Sequence, residues 1–202
     1  MIISHKHRFI FVKTLKTAGT SIEVFLSQHC GPDDVVTPIL PHVEPHQPRN
    51  HDGFYNHMPG CEIRDRVRDE VWQSYFKFCV ERNPWDKLLS YYHMMNVRQG
   101  GGLTLDAFLA GNDFPLNYAK YTDPNDASKL IVDRVLRYEN LSDELASVFK
   151  QLAIPFSGTL GVNAKSEYRT DRRPYREVFS EKQAMRVGAL FAHECALHGY
   201  EF

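Results

Sequence analysis

Apolar positions change rhythm several times along the chain. Phe9-Ile10-Phe11-Val12 is an unbroken apolar run, as in a strand covered on both faces within a parallel sheet, and predicts a strand over residues 8–13. Past the turn at residues 14–19, Ile22, Phe25 and Leu26 fall at helical spacing. Thr20 with Glu23 there reads as a capping box, so a helix is expected from near Thr20. Between residues 29 and 60 the periodicity vanishes and six of the eleven prolines gather. An excursion of that length in a compact chain points to a substrate-facing segment. Order returns with Tyr75-Phe76-Lys77-Phe78-Cys79-Val80 as a second strand. Asn83 then serves as a helix cap, Pro84 as the first helical residue, and Trp85, Leu88, Leu89, Tyr92 and Met95 as one helix face. Farther on, residues 132–138 read as a strand and Leu145, Val148, Phe149 and Leu152 as a helix face. Ser180 with Gln183 caps a last helix that closes near Gly199. Alternating strands and helices predict an α/β fold of three layers, with a central, mainly parallel sheet flanked by helices.

A chain of 202 residues fits a single domain, at about 150 residues per domain. With 43% hydrophobic and 24% charged residues it reads as an ordinary globular protein. The formal charge of -1 gives no global attraction to nucleic acid or to an anionic membrane, so an anionic ligand needs a local constellation. No apolar run exceeds four residues, against roughly 20 for a membrane span, and no apolar leader opens the chain. A soluble, cytoplasmic protein with no membrane span is expected. Cys30, Cys61, Cys79 and Cys195 show no C-x-x-C pairing, which leaves buried or free thiols as the default.

Two strand-turn-helix junctions carry the chemistry. At the first, Lys16-Thr17-Ala18-Gly19-Thr20-Ser21 sets small residues and a lysine at a helix N-terminus, where backbone amides and the helix dipole favour an anion. It is not a Walker A loop, because the lysine precedes the glycine by three residues. The plainer reading is an ordinary turn into a capped helix. At the second junction, Arg82 stands ahead of a helix N-terminus and Ser90 about two turns on, so that guanidinium and amides could clamp a second phosphate. The plainer reading pairs Arg82 with Glu81 or Asp86.

Taken together, residues 11–21 and 78–87 resemble the 5′-phosphosulfate loop and the 3′-phosphate motif of sulfotransferases that use 3′-phosphoadenosine 5′-phosphosulfate (PAPS), in particular the carbohydrate sulfotransferase branch. Residues 137–141, Pro174-Tyr175-Arg176 and the ending Gly199-Tyr200-Glu201-Phe202 are similar as well. One departure is Leu15, where many relatives place proline. The resemblance implies a P-loop-like fold and sulfuryl transfer from PAPS to an acceptor hydroxyl or amine on a saccharide or small molecule, leaving adenosine 3′,5′-bisphosphate, with no metal required. Amides of Thr17, Ala18, Gly19, Thr20 and Ser21 would hold the 5′-phosphate, and Arg82 and Ser90 the 3′-phosphate. Lys16 would neutralise charge on the oxygen between sulfur and the leaving phosphate.

His57 is the expected general base: similar proteins place a histidine just ahead of the second motif, and imidazole suits proton transfer near neutrality. It competes with nine other histidines. His42 and His46 in the same stretch would suit zinc only with a spacing unlike the usual ligand sets. The basic stretch from Lys165 to Arg176 would close over the nucleotide, with Lys165 and Arg169 as phosphate contacts, or else form a solvated loop. Two other functions compete: an ATP-dependent small-molecule kinase, which would need Gly-Lys-Ser/Thr and a magnesium-holding aspartate, and a nucleotide-binding module without catalysis.

Overall fold

The computed structural model describes residues 1–162, 168–169 and 171–202. In chain order its elements are β1 (Ile2–Ser4), β2 (Phe9–Phe11), α1 (Gly19–Ser27), β3 (Val35–Val36), α2 (Gly60–Arg64), α3 (Asp69–Ser74), β4 (Phe76–Glu81), α4 (Pro84–Arg98) and α5 (Leu105–Leu109). There follow α6 (Tyr118–Tyr121), β5 (Thr122–Asp123), β6 (Asp126–Leu130), β7 (Arg134–Arg137), α7 (Leu141–Gln151), α8 (Tyr175–Val178), α9 (Glu181–Leu190) and α10 (Ala192–His198). The chain forms two compact units, Met1–Glu81 with Asn117–Ala164, and Arg82–Leu116 with Lys165–Phe202.

The first unit is built on a five-stranded sheet of order β3-β1-β2-β4-β7. β2, β4 and β7 run parallel, with Phe11 opposite Phe78 and Val80 opposite Leu136. β1 lies antiparallel to β2, and β3 antiparallel to β1. The sheet is therefore mixed, which corrects the expectation of a mainly parallel, three-layer P-loop-like fold. The cause is local. Only residues 5–8 join β1 to β2, too short a link for the crossover that parallel neighbours require, so the chain must return as a hairpin.

Alternation along the strands sorts their side chains by face. Phe9, Phe11, Phe78, Val80 and Leu136 share a buried cluster with Ile22 and Leu26 of α1 and Leu145, Val148 and Phe149 of α7. Phe25 stacks on Phe149 with centroids 5.1 Å apart. Each such side chain stabilises the unit by about 1.5–3 kcal/mol through burial, so α1 and α7 are held by packing more than by propensity. A separate antiparallel pair, β5 with β6, follows α6.

The second unit is helical, and its start was legible. Asn83 caps α4, its side chain accepting the Trp85 and Asp86 amides at 3.1 and 3.4 Å, and Pro84 takes the first helical position. Trp85, Leu88 and Leu89 are buried among Phe108, Val187 and Phe191, with Tyr92 and Met95 packed alongside. The Trp85 indole N–H donates to the Ala184 carbonyl at 2.9 Å. Ser180 and Gln183 form the expected capping box of α9. The expected single closing helix is two, α9 and α10, divided at Phe191; Gly199 ends α10 in the left-handed conformation at φ 63°. All four cysteines are free thiols. No helix among the described residues is long and apolar enough to cross a membrane.

Candidate functional site

In the first unit the chain leaves β2 along β4. The Val12 amide donates to the Phe78 carbonyl at 2.9 Å, and the Thr14 hydroxyl donates to the Val80 carbonyl at 2.5 Å. Thr14 and Thr17 hydroxyls pair at 2.8 Å, closing the loop on itself. Within it, Lys16 and Ala18 both sit at φ 60°, the left-handed region that side-chain-bearing residues seldom occupy. Such a residue costs about 1–3 kcal/mol and persists only where its surroundings fix it. Left-handed residues alternating with others turn successive N–H groups toward one concave side, the backbone geometry that holds anions. The loop runs straight into α1, whose N-cap Ala18 offers no side-chain cap and whose first turn carries no acidic residue. The expected Thr20–Glu23 box therefore does not form, and the helix starts at Gly19.

Glu23 faces inward instead. Its Oε2 meets the Lys13 ammonium at 2.5 Å, and its Oε1 meets the α-amino group of Met1 at 2.5 Å and the Thr37 hydroxyl at 2.9 Å, all of them buried. Burial alone would raise the Glu23 pKa, but the two ammonium groups outweigh it and hold the carboxyl below its ordinary value. Gly19 is close against this pair: a Cβ there would stand 2.9 Å from Lys13 Cγ.

His57 sits on the same loop. Its Nδ1 lies 3.2 Å from the Lys13 carbonyl oxygen, and since a carbonyl can only accept, Nδ1 carries the proton and Nε2 presents its lone pair. Burial, then the Lys13 ammonium, lowers the imidazole pKa from 6.5 to about 3, with Lys120 adding to the effect. His57 is therefore neutral across the physiological range. This differs from the near-neutral titration expected of it: the ring is unprotonated, but at that pKa it is a weak base. Its backbone is also left-handed, at φ 62°, and the Asn56 Oδ1 next to it is buried without a hydrogen-bond partner.

The residue that secures the loop was missed from sequence. Asn117, fully buried, accepts the Leu15 amide at 2.8 Å and donates to the Leu15 carbonyl at 3.0 Å, holding both backbone polar groups of one residue. It also donates to Glu81 Oε1 at 3.3 Å, while the Tyr121 hydroxyl donates to Glu81 Oε2 at 2.9 Å. A proline at position 15 would have no N–H for Asn117 to bind, so leucine here is matched to its partner.

In the second unit Arg82 pairs with Asp86, Nε and a terminal nitrogen reaching Oδ2 at 2.8 and 2.6 Å. Arg169 reaches the other oxygen of the same carboxylate at 2.6 Å, and donates as well to the carbonyls of Asp171 and Arg173 at 2.9 and 2.7 Å. Two guanidinium groups thus converge on one carboxylate in the first turn of α4, and against the effect of burial they hold the Asp86 pKa down. Ser90 and His93 lie one and two turns farther along the same stripe of α4. The Arg82–Asp86 pair is the plainer reading of the motif, and it holds the guanidinium at the start of α4, whose first amides are already taken by Asn83. Lys165 lies outside the described residues.

Thr17, Gly19 and Ser21 are buried, while Lys16, Ala18 and Thr20 are half-buried; Gly19, Thr20 and Ser21 form the first turn of α1. His42 pairs with Glu44 at the surface, whereas His46 is buried with its Nε2 2.9 Å from the Thr37 carbonyl; the two do not converge. Tyr138 packs against the core of the first unit from the single turn that follows β7.

The architecture of the first unit is mixed α/β. No known family's sequence profile matches the chain. An uncharacterized protein from Archaeoglobus fulgidus is 34% identical to it over 113 residues, covering 54% of this chain and 94% of that protein. The chain belongs to the family of that archaeal protein.

Proposed function

We propose that the protein is a PAPS-dependent sulfotransferase acting on an acceptor hydroxyl, with a saccharide as the favoured acceptor. The observation that supports this reading is the loop of residues 14–19, in which Lys16 and Ala18 hold left-handed backbones ahead of a helix start with no side-chain cap. The donor set suits a phosphate: neutral amides, a helix N-terminus and Lys16. When bound, PAPS supplies an activated sulfuryl group whose bond to the 5′-phosphate breaks as the acceptor oxygen bonds to sulfur.

The chain's own residues have separable tasks. Amides from Thr17 to Ser21 hold the 5′-phosphate, and Lys16 takes up the negative charge that develops on its bridging oxygen. His57 Nε2 receives the acceptor proton, its tautomer set by the bond from Nδ1 to the Lys13 carbonyl. Arg82 and Ser90 hold the 3′-phosphate, with Asp86 keeping the Arg82 guanidinium in register.

Calorimetric titration with adenosine 3′,5′-bisphosphate, beside ATP with magnesium, tests the reading. Binding of the bisphosphate that Arg82→Ala weakens, together with loss of most turnover in Lys16→Ala and His57→Ala, is expected. Magnesium-dependent ATP binding without bisphosphate binding would overturn it in favour of a kinase, and bisphosphate binding with no sulfuryl transfer to any hydroxyl would leave a binding module.

A further inference from the structure

Three side-chain-bearing residues at this site, Lys16, Ala18 and His57, hold left-handed backbones. Conformations of that kind survive only where neighbours leave no alternative. The neighbours that supply this constraint come from one short stretch more than a hundred residues away in sequence from the loop. Asn117 closes on both backbone polar groups of Leu15, immediately ahead of Lys16. Lys120 donates its ammonium to the His57 carbonyl at 2.9 Å. Tyr121 and Asn117 both bond to Glu81, the last residue of β4 and the one before Arg82.

We propose that the turn from Asn117 to Tyr121 is the positioning element of the site, with Asn117 setting the anion loop through Leu15 and Lys120 setting His57 through its backbone carbonyl. The residue types are matched to the tasks. A carboxamide carries an acceptor and a donor on one planar end, so a single side chain can satisfy the backbone N–H and C=O of one residue together; aspartate lacks the donor and leucine lacks both. Lysine reaches a carbonyl from a flexible stem and leaves its charge close to the imidazole. Glu81 accepts from two members of the turn, which ties the turn to the end of β4 through a buried, fully bonded carboxylate.

What the site does rests on the sulfotransferase reading; how it is held does not, and the experiment separates the two. Amide hydrogen–deuterium exchange is followed on the full chain for wild type, Asn117→Ala, Tyr121→Phe, Lys120→Met and Lys120→Arg. The His57 imidazole is titrated by NMR in the same proteins, and each is titrated with adenosine 3′,5′-bisphosphate. Asn117→Ala should speed exchange across residues 14–19 about tenfold or more, leave α7 unchanged, and weaken bisphosphate binding by a similar factor. Tyr121→Phe removes only the hydroxyl on Glu81 and should change loop exchange in the same direction by about threefold, which decides the Asn117 half even if Asn117→Ala does not fold. Lys120→Met should move the His57 titration upward while loop exchange stays within about twofold, and Lys120→Arg should return it toward wild type. Unchanged loop exchange in the folded Asn117 and Tyr121 variants, or an unmoved His57 titration in Lys120→Met, would overturn the proposal. Absence of bisphosphate binding in wild type would sink the sulfotransferase reading alone, since the exchange and NMR arms would still decide the role of the turn.

Discussion

Two helical glycines give opposite expectations when changed to alanine, and the difference comes entirely from what surrounds them. At Gly188 in α9 a new Cβ would meet only Trp85 Cζ2, at 3.4 Å, an ordinary contact. Removing glycine's backbone freedom from a helix interior is worth about 0.5–1 kcal/mol, so Gly188→Ala should stabilise by that amount. At Gly19 the new Cβ would stand 2.9 Å from Lys13 Cγ, 3.3 Å from the Thr14 carbonyl oxygen and 3.4 Å from Lys13 Cε. Lys13 cannot swing aside, because its ammonium is fixed on Glu23 at 2.5 Å and the whole side chain is buried. Overpacking of this kind costs about 1–3 kcal/mol, and the helix gain at a first-turn position is smaller than in the interior. Gly19→Ala should therefore lose about 1–2 kcal/mol net. For a chain of this size that is a fall of several degrees in melting temperature, at about 2–4 °C per kcal/mol. Thermal and urea unfolding of the two variants beside wild type measure both effects. A Gly19→Ala protein as stable as wild type would refute the claim that Lys13 is immobilised by Glu23 against the loop.

Truncating the other partner tests the same pair from below. Glu23→Ala leaves the buried Lys13 ammonium without its carboxylate and should cost about 3–5 kcal/mol in urea unfolding, whereas an effect under about 1 kcal/mol would mean that the pair is solvated. His57 gives a pH signature: its folded pKa of about 3 lies below the ordinary 6.5, so the unfolded chain binds the extra proton first. Its contribution is fully present above pH 6.5 and is lost as pH falls toward 3; between pH 7 and pH 5 wild type should lose stability faster than His57→Gln, and parallel pH profiles would contradict the depressed pKa.

Elements whose signals are local were legible in the sequence. Asn83-Pro84 at the start of α4, the Ser180–Gln183 box and the buried stripe of α7 each bring cause and effect within a few residues, and each was found as expected. Thr20 and Glu23 have the spacing of a capping box too, but burial beside Lys13 gave the carboxylate a better partner than a helix-end amide. β1 escaped notice because three residues are too few to display alternation, and with it went the antiparallel half of the sheet. Asn117 could not have been read at all. Its partner Leu15 lies 102 residues away, and a lone carboxamide in a stretch without periodicity carries no sign of what it will bind. The loop itself was visible as small residues and a lysine at a helix start; the left-handed backbones of Lys16 and Ala18 had no local signal.

The stretch of residues 29–60, expected to face a substrate, also closes one side of the sheet. β3 is only two residues long, and on its outer side Val36 and Arg49 already exchange both backbone hydrogen bonds, at 2.9 and 3.0 Å. Pro48, immediately before Arg49, has no N–H to offer an incoming chain. A strand from a neighbouring molecule would find no row of open donors and acceptors along β3 to copy. The proline-rich detour thus guards the β3 edge of the sheet against strand-by-strand self-association, a protection that shortening the segment would remove even if the loop of residues 14–19 were left intact.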